Sequence, residues 1–134
     1  NKDKLCNSLL KYKPTNWDEF YYLLITRSKV DCLINIDDKT KSKLSKGLQS
    51  NKLSQFYYTI DSIAKLNKLG KYDVTNLDGK ELLKQLFKFQ NEKDKLFGEQ
   101  DGKNSKTSIS RTSMALNLFS RLIELKLIKI NDED

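Results

Sequence analysis

The 134-residue sequence contains no histidine, one proline and only two cysteines. Without histidine, the commonest general base, the commonest metal ligand and every histidine-dependent catalytic triad are excluded. Cys6 and Cys32 are too few to form a four-ligand zinc site on their own. We therefore expect a protein that is not an enzyme and that uses no metal or other cofactor.

Long apolar segments are also absent from the sequence. The longest apolar run is FYYLLI, from Phe20 to Ile25, whereas a membrane-spanning helix needs roughly 18 or more apolar residues. No signal-peptide pattern occurs at the start. Two cysteines are typical of free, buried thiols in a reducing compartment, although a disulfide between them stays open. These features predict an intracellular protein, nuclear if eukaryotic and otherwise cytoplasmic, with no membrane partner and no small-molecule substrate.

Lysine is what the sequence has in abundance. The formal net charge is +7, and only three of the 25 basic residues are arginine, namely Arg27, Arg111 and Arg121. A basic balance favours polyanionic partners such as nucleic acid. However, base readout and bidentate phosphate contacts favour arginine, and an excess of lysine and asparagine is also typical of an AT-rich genome. The charge alone leaves nucleic-acid binding and incidental charge as alternatives.

Helical apolar spacing recurs along the chain. A first helix is predicted over residues 3–13 and ends at Pro14, because proline removes a backbone donor. Thr15 or Asn16 caps a second helix, with Glu19 at capping-box spacing from Asn16.

The remaining elements are predicted from the same signals. Residues 29–36 fit a strand or the continuation of a helix, and residues 92–108 form a polar loop that we expect to be mobile. A third helix is predicted to end near Gly47, and a fourth to run from a cap at Ser50 or Asn51 to Gly70. A fifth helix is predicted to begin at Asp78. The last helix is predicted to run from a cap at Ser108 or Ser110 to a break at Lys126. Leu127, Ile128 and Ile130 are predicted to form a short terminal strand.

The end of the chain carries a more specific pattern. The stretch MALNLFSRLIELKLIKI, residues 114–130, resembles the final helix and first wing strand of the winged-helix domain at the end of origin recognition complex subunits and related replication-licensing factors. The stretch GKELLKQLFKFQNEKDKLFG, residues 79–98, resembles the aromatic-rich helix that precedes the loop in that family. The resemblance covers about residues 50–130.

This resemblance implies a mainly α fold. We expect a helical bundle with a winged-helix-like C-terminal part and a minor short β component. The chain is expected to form a single domain, with an N-terminal helical part over residues 1–49, the winged-helix-like part over residues 50–130, and an acidic tail over residues 131–134.

A recognition helix presents polar and basic side chains to duplex DNA, mainly near its N-terminus. The candidate contacts on and before the last helix are Lys103, Lys106, Arg111, Asn117 and Arg121. The structural alternative is that the apolar stripe is core, the serines are caps and Arg121 pairs with Glu124 three residues later.

A second basic concentration runs from Lys39 to Lys52, with five lysines and no acid. Lys43 and Lys46 are its candidate phosphate contacts, and the alternative is a solvated helix face. The leading hypothesis is a non-enzymatic, DNA-associated module of a larger replication or chromatin factor, whose partners are duplex DNA and other subunits. The alternatives are a pure protein–protein interaction module with incidental charge, and RNA binding through Lys39–Lys52.

Overall fold

The computed structural model describes residues 1–32, 36–102 and 105–129. Six α helices lie in these ranges: α1 (Lys2–Lys11), α2 (Trp17–Lys29), α3 (Asp38–Gly47), α4 (Leu53–Lys68), α5 (Gly79–Phe87) and α6 (Ile109–Glu124). The β structure outside them is limited, among the described residues, to isolated bridges that pair Lys52 with Gln100, Gln90 with Phe97 and Gly98 with Thr107. The predicted mainly helical fold is confirmed.

The start of α2 shows how a local sequence signal fixes a helix end. Asn16 is the N-cap, and its Oδ1 accepts a hydrogen bond from the Glu19 backbone N at 2.9 Å. The Glu19 carboxylate turns back and accepts from the Thr15 N at 2.9 Å and from its Oγ1 at 2.8 Å. Asn16 rather than Thr15 is therefore the N-cap. The side chains of Asn16 and Glu19 each accept a hydrogen bond from a backbone N–H group that has no partner inside the helix.

Two later helices begin at their predicted caps. The Asp78 Oδ1 accepts from the Lys80 N at 3.0 Å at the start of α5. The Ser108 Oγ accepts from the Arg111 N at 3.1 Å at the start of α6, which resolves the choice between Ser108 and Ser110.

The central helix α4 does not use either of its predicted caps, Ser50 and Asn51. Instead, Glu99 reaches the helix from 45 residues away, and its Oε1 accepts from the Ser54 N at 2.9 Å. The backbone carbonyl of Glu99 also accepts from the Leu53 N at 2.8 Å. A carboxylate at this end interacts favourably with the helix dipole as well as with the free donors.

The core is divided into two apolar clusters that share α4, which packs against α2, α3 and α6. Phe56 and Ile60 of α4 belong to the cluster formed with α5 and α6, while Ile63 and Leu66 belong to the cluster formed with α2 and α3. All four side chains are almost completely buried. Because one helix supplies both clusters, the N-terminal and C-terminal parts are packed against a common element.

The polar segment before α6 is anchored at several points. Phe97 is buried, its N donates to the Thr112 Oγ1 at 3.0 Å, and its carbonyl accepts from the Ser108 N at 3.1 Å. Gly98 lies so close to the Lys106 carbonyl that an added Cβ would be 2.3 Å from that oxygen. The described part of this segment is therefore fastened to the start of α6.

The end of the described chain corrects one prediction. Residues 127–129 form no strand, and Ile130 lies outside the described residues. Lys126 takes a left-handed conformation with φ 61° after α6, and the chain then runs so close to α5 that a Cβ on Gly79 would be 1.8 Å from the Leu127 carbonyl oxygen. Ile128 is buried in the core. Leu127 and Ile128 therefore pack as irregular chain, because the described residues contain no strand that could pair with them.

The stretch between α2 and α3 was predicted as a strand or a helix continuation. The structure ends α2 at Lys29 and turns the chain at Asp31, whose φ is 56°. Residues 33–35 of that prediction lie outside the described residues.

Candidate functional site

Cys6 and Cys32 form a disulfide, with their Cα atoms 5.5 Å apart and a separation of 26 positions in the sequence. The prediction of free thiols is therefore wrong. The bond fastens α1 to the segment that follows α2. Closing a loop of this length stabilises the folded chain by about 3–4 kcal/mol in the loop-entropy model. The even cysteine count allowed this bond, but nothing in the sequence indicated an oxidising compartment.

Helix α1 depends on this disulfide because its other attachments are weak. None of its residues is buried. The Tyr12 hydroxyl, just after the helix, donates to the Glu19 Oε2 at 2.8 Å, and Lys2 lies 3.7 Å from the Asp31 carboxylate, with both side chains exposed. Exposed ion pairs contribute little stability.

An apolar surface lies where α1 meets α2. Leu9, Tyr12, Tyr22 and Leu23 line a shallow groove between the helices, and Leu5 shares a helix face with Leu9 and Tyr12 because they are spaced four and seven residues apart. We call these five side chains the apolar flank. Tyr22 is 59% exposed, Tyr12 49% and Leu5 44%. Clustered exposed apolar side chains are typical of interaction surfaces.

Glu19 and Thr26 complete the lining of the groove. Hydrogen bonds from the Thr15 backbone and hydroxyl, followed by one from Tyr12, hold the pKa of the Glu19 carboxyl below its ordinary value. The same carboxylate raises the pKa of the Tyr12 hydroxyl. Glu19 is thus an ionised group that already accepts hydrogen bonds at both oxygens.

A buried charged cluster joins α2, α4 and α6. Asp61 of α4 is 2% exposed and accepts hydrogen bonds from the Tyr21 hydroxyl, from the Lys65 Nζ at 3.1 Å and from the Arg121 Nε at 2.9 Å. The Arg121 Nη1 also lies 3.0 Å from the Glu124 Oε2. Three helices are therefore tied together through one carboxylate.

The pKa values of this cluster follow from its contacts. Burial acts to raise the pKa of Asp61, but hydrogen bonds from Tyr21, Lys65 and Arg121 outweigh it and hold the pKa below its ordinary value. Burial, and then the hydrogen bond to Asp61, raise the pKa of Tyr21. Asp61 is therefore ionised and Tyr21 neutral. Because three donors already bind the Asp61 carboxylate, the cluster stabilises the packing of the helices.

The candidate nucleic-acid contacts are distributed over different elements. Arg121 belongs to the Asp61 cluster and also pairs with Glu124, as the structural alternative proposed. Arg111 pairs with Glu99, its Nε lying 3.0 Å from the Oε1. Asn117 and Lys106 are exposed.

The remaining candidates lie on α3 or outside the described residues. Lys43 lies on α3 with its Nζ 5.4 Å from the ring centroid of Trp17 and 4.7 Å from that of Phe20, a cation–π geometry. Lys46 is exposed on the same helix. Lys103 lies outside the described residues.

Within the described ranges, no helix combines the length and the apolarity that crossing a bilayer requires.

Comparison with known families gives a match over almost the whole chain. Residues 1–132 match the family model described as the Ribophorin II N-terminal domain. No curated protein and no solved structure matches the chain.

This match overturns the resemblance to replication-factor winged helices. Ribophorin II is a family of subunits of the endoplasmic reticulum oligosaccharyltransferase, so the expected DNA association, the duplex DNA partner and the RNA alternative are wrong. The expected nuclear or cytoplasmic location and the exclusion of a membrane partner are wrong as well. The resemblance depended on the apolar spacing of one helix and one strand, and such spacing is common to amphipathic helices of unrelated proteins.

Proposed function

The chain belongs to the ribophorin II family, and we propose that it is a non-catalytic, structural part of an oligosaccharyltransferase subunit in the endoplasmic reticulum. The family match over residues 1–132 carries this proposal. In this role the chain contributes binding surfaces to the assembly and takes no part in the chemistry of glycan transfer.

The disulfide supports the proposed compartment. Disulfides persist in oxidising environments such as the endoplasmic reticulum lumen and are rare in the cytosol and nucleus. The Cys6–Cys32 bond holds a helix that has no buried residue. Such a helix gains most of its attachment from an oxidised bond, which favours a luminal location for the chain.

The shared central helix supports a single folding unit over residues 1–134. Both apolar clusters draw side chains from α4, so loss of either cluster removes packing from the same helix. We expect one cooperative urea transition, seen at the same midpoint by far-UV circular dichroism and by Trp17 fluorescence. Two separated transitions would instead indicate two independent units.

Co-isolation and glycosylation tests address the proposed role. The tagged parent protein, isolated in mild detergent, should carry oligosaccharyltransferase subunits with it. Its depletion should lower the glycosylation of a reporter glycoprotein, and re-expression should restore it. Recovery in a nuclear DNA-bound fraction without those subunits would contradict the proposal.

A separate assay tests the non-catalytic part of the proposal. The purified chain, given a lipid-linked oligosaccharide and an acceptor peptide, should transfer no glycan, whereas the isolated complex should do so under the same conditions. Transfer by the chain alone would show that it carries catalytic groups.

A further inference from the structure

We propose that α1 and the adjoining side of α2 form a membrane-surface contact, in which the apolar flank enters the headgroup region of a bilayer that contains anionic phospholipid. This contact goes beyond assembly with other subunits. It depends on the geometry and charge of residues 1–31 and not on the proposed structural role in the oligosaccharyltransferase.

Apolar exposure is concentrated at this end of the molecule. Eight large hydrophobic side chains are exposed in the described part of the chain. Three of them, Leu5, Tyr12 and Tyr22, belong to the apolar flank, whereas Leu10 lies on another face of α1. Helix α1 places no residue in the core. Its apolar side chains therefore contribute little to folding and remain available for a partner.

The charge around the flank favours an anionic surface. Residues 1–13 contain four lysines and one aspartate. Lys4 and Lys11 are seven residues apart and lie on the helix face next to the one that Leu5 and Tyr12 share. A helix that carries lysines beside leucine and aromatic side chains suits a position in the plane of the interface, where lysine stems extend towards the headgroups while the apolar side chains are buried.

The acidic groups near the flank oppose the attraction to anionic lipid but are fewer than the basic ones. Glu19 stays ionised although both of its oxygens accept hydrogen bonds from Thr15 or Tyr12, and Asp31 pairs with Lys2. Residues 1–31 contain six basic residues and four acidic ones, the latter being Asp3, Asp18, Glu19 and Asp31. This part of the chain therefore keeps a net positive charge.

The exposed face of α6 offers a useful comparison. Ile109 is 75% exposed and Leu116 59% exposed, but the exposed residues between and beside them are serine and asparagine rather than lysine. That face has apolar side chains without a basic border. Leucine, tyrosine and lysine occur together at α1, and this combination favours a lipid partner. Tyrosine is enriched at membrane–water interfaces because its ring is apolar and its hydroxyl is polar.

Vesicle co-sedimentation of the oxidised 134-residue chain tests this contact. The chain should sediment with vesicles of phosphatidylcholine and phosphatidylserine, less with phosphatidylcholine alone, and less again at high salt. The variant Leu5→Ser/Tyr22→Ser should weaken binding to the mixed vesicles about tenfold or more, since two side chains that enter the interface lose most of their apolar area.

The variant Leu10→Ser/Leu116→Ser is the matched control. Both residues are more than half exposed, and Leu10 lies on α1 about 140° around the helix from Leu5 at 100° per residue. Binding by this control should stay within about twofold of the unchanged chain. Far-UV circular dichroism and the mass of the disulfide-linked peptide establish that each variant is folded.

Three results would overturn the proposed contact. The first is no sedimentation of the unchanged chain with anionic vesicles, which is the expected result if a protein partner covers the flank instead. The second is an equal loss of binding in the two variants, and the third is full binding by Leu5→Ser/Tyr22→Ser. None of these results affects the co-isolation and glycosylation tests, so the two proposals fail separately.

Discussion

Asp61 is the residue on which the packing of α2, α4 and α6 converges. Its carboxylate is 2% exposed and holds Tyr21, Lys65 and Arg121. A buried charge is costly unless it is paired and hydrogen-bonded. Removing one member of such a cluster therefore leaves the others buried without their partner.

The substitution Asp61→Asn should lower the free energy of unfolding by about 2–4 kcal/mol, because it removes the charge that Arg121 and Lys65 face. The measurement is urea unfolding followed by circular dichroism at neutral pH. Asp101→Asn is the control, since Asp101 is exposed and should change the value by less than about 0.5 kcal/mol. Equal effects of the two substitutions would show that the Asp61 cluster contributes nothing to stability.

The difference between the unchanged chain and Asp61→Asn should also depend on pH. The pKa of Asp61 in the folded chain lies below its ordinary value of 3.8, so folding favours the ionised form and the unfolded chain binds the proton more tightly. The stabilisation is therefore fully present above pH 3.8 and is lost as the pH falls through the lower, folded pKa. Unfolding curves at neutral and acidic pH should show the difference shrink, and a difference that stays constant would contradict the lowered pKa.

Glu99 is a second residue whose effect extends beyond its own segment. It caps α4 and pairs with Arg111 at the start of α6. Glu99→Ala should lower the free energy of unfolding by about 1–2 kcal/mol, the usual effect of losing a helix cap. The neighbouring exposed Gln100→Ala is the control, and an equally small change in both would show that Glu99 is not the cap.

Among the elements, α1 differs most from the other helices. It is joined to the rest by a disulfide, one tyrosine hydrogen bond and an exposed ion pair. The other five helices each bury at least two residues. The disulfide should therefore control the attachment of α1 without controlling the fold of the remaining helices.

Reduction with dithiothreitol, or the substitution Cys6→Ser/Cys32→Ser, should release α1 from the other helices. Trypsin cleavage after Lys4 and Lys11 should become about tenfold faster or more, because the local opening that exposes these sites loses its main restraint. Cleavage after Lys65 in α4 is the internal reference and should change far less. If cleavage after Lys11 stays as slow as before, packing rather than the disulfide holds α1.

The helix ends show what a sequence can predict at the scale of elements. Asn16, Asp78 and Ser108 act on backbone donors two or three residues away, so their caps follow from local spacing. The Glu99 cap acts across 45 residues, and no local pattern contains it. The strand predicted for Leu127–Ile130 failed over residues 127–129 for a related reason, because branched residues form a strand only when another strand pairs with them.

The described molecule is a set of helices packed around α4. The Asp61 cluster, the Glu99 cap and the disulfide connect segments that are distant in sequence. Amphipathic spacing predicted this helical architecture, since the period of the apolar residues is a property of the sequence itself. The candidate interaction surface was not predictable in the same way. The apolar flank exists only where α1 packs beside α2. The Cys6–Cys32 disulfide, which forms between residues distant in sequence, holds α1 in that position.

The proposed compartment also differs from the one that the composition favoured. Lysine excess favoured a nucleic-acid partner, but the structure engages Arg121 and Arg111 with Asp61 and Glu99. The family match places the chain in the ribophorin II family, whose members are subunits of the endoplasmic reticulum oligosaccharyltransferase. The exposed lysines of residues 1–13 are better tested against lipid and protein partners than against DNA.

The central claim is that this chain works oxidised, inside the endoplasmic reticulum, as part of the oligosaccharyltransferase. The most direct measurement is mass spectrometry of Cys6 and Cys32 in the parent protein, after cells are alkylated before lysis and the complex is isolated through another of its subunits. The account predicts recovery of the chain with the complex, with the two cysteines in one linked peptide. Recovery only outside the complex, with both thiols alkylated, would contradict it.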